Sequence, residues 1–337
     1  MAGEGRRGVE QHVVSPADAG LRLDRWFRRH FPGLGHGALA KLMRTGQIRV
    51  DGSRVSPGDR VVAGQVIRVP PLDAAARQPP PRDRRPRTGP LGEADIAAVR
   101  RWILHMDEAV IALNKPPGLA TQGGPRITRH VDGLLEALRF APDDERPRLV
   151  HRLDRDTSGV LLVARTAVAA AALAQSFRGR DAQKLYWALV VGTPRPAAGK
   201  IVAAVEKTPG RAGERMGVSE SGKPARTLYS TVDHAGRKAA WLALQPLTGR
   251  THQLRVHCAH IGHPIVGDGK YGGREAHLTG IVSRKLHLHA RRLRLPHPSG
   301  GVLDLRAPLP PHMAETWAAF GWDEDPAADA FPEPHRG

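Results

Sequence analysis

An α+β architecture in two globular parts is predicted for this 337-residue chain by three observations. A stretch rich in proline and arginine, residues 71–100, interrupts the chain and holds no aromatic residue. Upstream of it, two helix-spaced apolar stripes precede a hairpin signal. Downstream, from Trp102 to Trp322, strand-like runs and short helices alternate with turn signals and show no repeat of fixed period.

Lysine and arginine number 51 against 33 acidic residues, a formal charge of +18. That balance suits a partner for phosphate backbones or anionic membrane surfaces. Arginine, alanine and proline are all abundant, which coding bias alone can produce, so the placement of the charges carries more than their sum. The single cysteine, Cys258, excludes an internal disulfide framework and a multi-thiolate zinc site. Met1 to Gln11 holds no apolar leader core, and no apolar run approaches the roughly 18 residues needed to cross a bilayer. A cytoplasmic protein, monomeric by default, is the expectation.

In residues 12–70, Leu23, Trp26, Phe27 and His30 fall at helical spacing, with Arg22, Arg25 and Arg29 on another face. Leu39, Leu42 and Met43 repeat the pattern, with Lys41 and Arg44 outside and Gly46 as the stop. Asp51-Gly52, between Gln47–Val50 and Arg54–Val55, is a strong hairpin signal, and Val61–Val69 is a further strand. A solvated arginine face is the commoner meaning of such charges. Here they recur on both helices and at Arg49 and Arg54 of the hairpin, which favours RNA binding. The segment resembles the S4 RNA-binding domain in Leu23-Asp24-Arg25-Trp26-Phe27 and in Ala40 to Val50 followed by Asp51-Gly52. The resemblance implies docking to structured RNA through Arg22, Arg25, Arg29, Lys41, Arg44 and Arg49.

Residues 71–100 read as a semi-extended basic linker, 101–322 as the larger domain, and 323–337 as a disordered acidic tail.

The larger domain carries three constellations. In Leu149 to Ala164, Asp154 sits between Arg152 and Arg155, directly ahead of the apolar run Val160–Ala164. Neighbouring cations favour an ionised carboxylate, which suits a nucleophile or base; a surface ion-pair cluster produces the same pattern. Asp156-Thr-Ser-Gly159 is a turn into the strand. Its likeness to the aspartic-protease signature lacks the second copy that proton sharing requires. The strand Lys184 to Gly192 places Tyr186, Ala188 and Val190 on one face and Leu185, Trp187, Leu189 and Val191 on the other. Tyr186 is then either a core tyrosine with a satisfied hydroxyl or a platform for base stacking. Third, Leu254, Cys258 and Ile261 lie at i, i+4, i+7 on a short helix starting near Thr251. His252, His257 and His260 do not converge on one face of it, so no metal is expected, and Arg255 is free to face an acid or a phosphate. Lys115, in the turn Asn114 to Gly118, and Lys223 are plausible phosphate contacts or plain loop lysines.

Asn114-Lys-Pro-Pro-Gly118, His151-Arg-Leu-Asp-Arg-Asp-Thr-Ser-Gly159, Lys184-Leu-Tyr186, Gly222-Lys-Pro-Ala225 and Gly249 to His257 together resemble the RluA family of pseudouridine synthases. They stand in family order across most of residues 102–310. The resemblance implies a mixed, largely antiparallel sheet with peripheral helices around a basic cleft. It also implies isomerisation of uridine in RNA with neither cofactor nor metal. Asp154 would be the catalytic carboxylate, adding to C1′ or removing a proton from C2′; Arg255 would pair with it. Tyr186 would stack on the uracil and assist proton removal at C5. Arg152 would fill the gap left by the flipped uridine, and Arg155 and Lys115 would contact RNA. Trp187, where the family often has a smaller polar residue, should point away from the face of Tyr186. The expected substrate is 23S-type ribosomal RNA. The competing readings are a synthase acting on transfer RNA and a non-catalytic RNA-binding or ribosome-assembly factor.

Overall fold

The computed structural model describes residues 8–73, 76–77, 91–124, 127–179, 181–208, 215–280, 282–324 and 326–332. The chain divides into two compact units, Met1–Arg87 and Thr88–Gly337.

The smaller unit contains β1 (Glu10–Val13), α1 (Leu23–His30), α2 (His36–Arg44), β2 (Arg49–Val50), β3 (Ser53–Arg54) and β4 (Val66–Val69). Its antiparallel sheet runs β1-β4-β2-β3. Leu23, Trp26 and Phe27 on α1 and Leu39 and Met43 on α2 bury one stripe each against Ile48 and Ile67. Burying a side chain such as Phe27 contributes roughly 2–3 kcal/mol. His30 instead stays exposed, stacking on Trp26 at 4.4 Å and pairing with Asp18 at 2.9 Å. Asp51 and Gly52 both take positive φ, 49° and 78°, the geometry that closes a two-residue hairpin with the twist of its strands.

The larger unit begins with α3 (Glu93–Arg100), β5 (Ile103–Met106), β6 (Val110–Lys115), α4 (Val131–Leu134), β7 (Arg148–Leu149), β8 (Ser158–Ala164), α5 (Ala167–Gly179) and β9 (Gln183–Val191). It continues with β10 (Ala198–Val202), β11 (Val205–Thr208), β12 (Arg215–Val218), β13 (Arg226–Ala235), β14 (Ala239–Pro246), α6 (Gln253–His260), β15 (Leu288–Pro296), β16 (Val302–Arg306) and α7 (Pro311–Phe320). Ten strands form one sheet, in the order β10-β13-β14-β9-β15-β8-β6-β5, with β16 on β15 and β7 on β8. β11 and β12 pair separately as a hairpin.

Both faces of this sheet are covered, which is why β8 is an unbroken apolar run. Val160, Leu162 and Ala164 meet Leu173 of α5 on one side, and Leu161 and Val163 meet Leu134 and Leu135 on the other. Along β9, Leu185, Trp187 and Leu189 pack with Met313 and Trp317 of α7, while Ala188 and Val190 pack with Leu254 and Cys258 of α6. Trp187 thus faces away from Tyr186, as expected from strand alternation.

The two halves of the sheet join where β8 and β15 pair in parallel, Ser158 opposite His289 and Gly159 opposite Ala290. Gly159 has φ +109°, and a Cβ there would lie 2.2 Å from the Ala290 carbonyl oxygen, so only glycine lets the strands close. The loop carrying Asp154 enters the sheet at this joint.

Two boundary expectations are corrected. Within the expected linker, residues 93–100 form α3, with Val99 buried beside Leu135 and Leu138 and Arg100 Nε donating to the Ala137 carbonyl at 3.1 Å. Glu93 and Asp95 in its first turn complement the helix dipole, a signal masked by the flanking prolines. Residues 74–75 and 78–90 of that linker lie outside the described residues. The acidic tail is anchored instead of disordered over residues 326–332. Asp329 is buried and pairs with Arg291 at 2.8 Å and Arg306 at 3.0 Å, and the Trp187 indole N–H donates to the Ala328 carbonyl. A tail acid meeting two arginines presented by β15 and β16 removes the reason to expect disorder; residues 333–337 lie outside the described residues.

Candidate active site

A cleft of about 550 Å³ opens beside the sheet joint, within the size range of small-molecule and cofactor pockets. Asp154, Tyr186, Arg255 and Arg152 all line it, so the residues singled out from three separate sequence motifs converge. Lys184, Arg250 and His252 line it too. Asp154 is the one acid among the described lining residues.

The Asp154 loop is held by its backbone on both sides. Thr121 Oγ1 donates to the Leu153 carbonyl at 2.7 Å and accepts the Leu153 N–H at 3.2 Å. Lys115 Nζ donates to the carbonyls of Pro116 (2.8 Å), Leu119 (2.8 Å) and Arg155 (3.0 Å). The Thr157 N–H donates to the Asp154 carbonyl at 3.2 Å, and His151 Nε2 accepts the Leu162 N–H at 2.8 Å. With residues 153 and 155 both tied, the side chain between them has a set direction. No described side chain or amide donates a hydrogen bond to the Asp154 carboxylate; the nearest titratable nitrogen is His252 Nε2, 3.9 Å away.

Lys115 was expected among the RNA contacts, and the structure corrects this. It ends β6 with its side chain fully buried, and all three ammonium hydrogens are used by carbonyls. Burial pulls its pKa down to about 7, against the attraction of Asp156 and Asp154. Arg155 is exposed and pairs with its neighbour Asp156 at 3.4 Å, outside the cleft lining, whereas Arg152 is exposed on the cleft itself.

Arg255 does not pair with Asp154. Its Nε and Nη2 donate to Asp268 Oδ2 and Oδ1, each at 2.7 Å, with the guanidinium 5.0 Å above the Tyr271 ring. Burial opposes the Arg255 charge, but the Asp268 bonds and the charges of Asp268 and Asp154 outweigh it and hold its pKa up. Neither Asp268 nor Tyr271 carried a sequence signal, because both lie in an irregular loop well after α6. Burial, and then the nearby charge of Asp154, push the Tyr186 hydroxyl up, so it remains a neutral phenol at ordinary pH.

Two further imidazoles of this segment have partners of their own: His257 bonds Thr227 Oγ1 and the Ala203 carbonyl, and His263 bonds the Val191 carbonyl. Lys184 reaches the cleft beside Phe177, 5.8 Å from its ring centre, with no carboxylate within ion-pair distance among the described residues. In the smaller unit, Arg25, Lys41 and Arg44 are exposed. Arg22 pairs with Asp24 and Arg29 with Asp18, and Arg49 is spent on the carbonyls of Gly46 and Gly52.

A family model described as RNA pseudouridylate synthase matches residues 109–260, which include Asp154, Tyr186 and Arg255. The chain is 35% identical over 319 residues to the ribosomal large subunit pseudouridine synthase C of Pasteurella multocida (strain Pm70), covering 93% of this chain and 94% of that protein. It is 37% identical over 303 residues to the protein of the same name from Escherichia coli (strain K12), covering 88% and 92%. Among solved structures, human RNA pseudouridylate synthase domain containing 4 superposes with a TM-score of 0.57 at 29% identity, covering 67% of this chain and 95% of that one.

Proposed function

The chain belongs to the RNA pseudouridylate synthase family and is a pseudouridine synthase, an isomerase; from that premise we propose that it modifies uridines of large-subunit ribosomal RNA in the cytoplasm, with Asp154 acting on the sugar. The observation that carries the reading is Asp154 itself: a lone acid in a cationic cleft, its loop clamped on both sides and its carboxylate free of protein donors among the described residues.

In the reaction the bond from C1′ to N1 breaks, the base turns, a bond from C1′ to C5 forms, C5 loses its proton and N1 gains one. A carboxylate directed into the cleft serves either entry to this sequence, addition to C1′ or removal of the C2′ proton. Neither centre is reachable in a stacked helix, so the uridine is extruded, at a cost of a few kcal/mol. Arg152, exposed at the cleft, takes the vacated position, while Lys184 and Arg250 contact the backbone phosphates. Tyr186, kept neutral, stacks on the uracil and is a poor base. Arg255 shapes the cleft floor through Asp268 without neutralising Asp154. The smaller unit adds an RNA-docking face through Arg25, Lys41 and Arg44.

The test is Asp154→Asn assayed by tritium release from RNA labelled at uridine C5. Turnover should fall by at least about a thousandfold, with RNA affinity within about threefold of wild type. Conversion at the wild-type rate would overturn the assignment.

A further inference from the structure

We propose that His252, held by Tyr271 as the tautomer carrying its hydrogen on Nε2, is a positioning residue for the Asp154 carboxylate; this rests on the reading of Asp154 given above.

His252 is the N-cap of α6 and lies in the left-handed region, φ 54° and ψ 19°. Asp51 is the one other non-glycine residue with positive φ among those described, and its hairpin turn accounts for it. His252 is the third residue of the turn Arg250–Gln253, closed by the Gln253 N–H donating to the Arg250 carbonyl at 3.1 Å, a place where positive φ usually calls for glycine. A left-handed non-glycine backbone costs on the order of 1–2 kcal/mol and persists only where surrounding contacts hold it.

The turn bond and the Val256 N–H, which donates to the His252 carbonyl at 3.0 Å, hold the backbone, and the ring adds contacts of its own. His252 Nδ1 lies 2.5 Å from the Tyr271 hydroxyl, the two rings meeting edge to face with centres 5.6 Å apart. The Met216 N–H of β12 donates to the same hydroxyl at 3.3 Å. Having accepted that hydrogen, the Tyr271 oxygen directs its own to His252 Nδ1, its other bonding partner among the described residues. Nδ1 is then bare, and the ring hydrogen resides on Nε2.

Nε2 is the atom that faces Asp154 Oδ2, at 3.9 Å. A nearby negative oxygen favours a hydrogen on that nitrogen, so two independent contacts select the same tautomer. At this separation the interaction is electrostatic and orients the carboxylate without occupying it. Arg255 cannot take the role, because both its forward donors are on Asp268.

Four charges face the imidazole. Asp154 and Asp268 favour its protonation, Arg255 and Lys270 oppose it, and burial, the largest influence, makes the net shift downward. The ring is therefore neutral at pH 7 and presents an N–H dipole to Asp154, not a cation that would neutralise it. The logic is that of a catalytic triad, in which one group fixes the tautomer of a second that serves a third.

The full-length chain and transcribed large-subunit RNA test this. Asparagine tolerates the left-handed backbone and offers Tyr271 an acceptor near the place of Nδ1, but nothing at the place of Nε2. His252→Asn should lower kcat by about ten- to a hundredfold, with KM within about threefold and an unchanged thermal midpoint. His252→Gln, whose amide reaches toward Asp154, should recover about fivefold of that loss. Tyr271→Phe removes the donor that favours the neutral ring, so the acid limb of the kcat profile should move to higher pH. Wild-type kcat in His252→Asn overturns the proposal, as do equal losses in the Asn and Gln variants. If His252→Asn also melts earlier, the Tyr271→Phe profile decides, an unmoved acid limb being the negative result. An inactive Asp154→Asn beside a fully active His252→Asn removes this inference alone, whereas an active Asp154→Asn removes the functional reading beneath it.

Discussion

Arg255 and Asp268 form a two-point ion pair, Nε to Oδ2 and Nη2 to Oδ1, each at 2.7 Å, with both side chains buried. Asp268 also accepts the backbone N–H groups of Lys270 and Tyr271, both at 3.2 Å. The pair is therefore internally satisfied. Its consequence is for Asp154, which is left with room for substrate at the point where a guanidinium was expected.

Asp268→Asn should strand the Arg255 charge in the cleft floor. Removing one partner of a buried pair costs about 3–5 kcal/mol, so the urea midpoint should fall sharply. The released guanidinium is free to turn to Asp154, and turnover should fall by more than about tenfold. A denaturation midpoint equal to wild type would contradict the role given to the pair.

Lys115→Met should loosen the Asp154 loop by removing the bond to the Arg155 carbonyl. The expected result is a loss of turnover of about a hundredfold with an unchanged salt dependence of RNA binding. Were Lys115 a phosphate contact, the logarithmic salt slope would shrink by about one, which is the outcome that would refute the buried assignment.

Stability should decline in mild acid. Burial holds His151 down to about 3, with Lys184 adding to the effect; it holds His287 to about 4 and His289 to about 3. In the unfolded chain each returns to about 6.5. Below that value the unfolded state binds protons that the folded state refuses. Stability is thus complete above about pH 6.5 and is lost as pH falls toward 4, on the order of 1 kcal/mol per pH unit per histidine. Urea midpoints measured from pH 7.5 to 5 should show this slope, and a flat profile would count against neutral burial of the three rings.

Features governed by short stretches of chain were legible in advance. Asp51-Gly52 closes its hairpin because the dipeptide itself tolerates positive φ. Tyr186 and Trp187 go to opposite cores because adjacent strand residues must. Leu254 and Cys258 pack together because they lie one turn apart. The motif around Asp154 likewise announced a carboxylate presented ahead of a buried strand.

The sequence by itself therefore determined the strands and helices outside α3, their buried faces and the acid presented ahead of β8, all consequences of backbone period and turn residues. Tertiary structure alone decided that Arg255 meets Asp268, that Lys115 is spent on three carbonyls, that Asp329 anchors the tail and that the Tyr271 hydroxyl meets Nδ1 of His252. Charge pairing depends on which side chains are brought within a few ångströms by distant segments, and several candidate partners for one cation look alike along a linear chain until folding separates them.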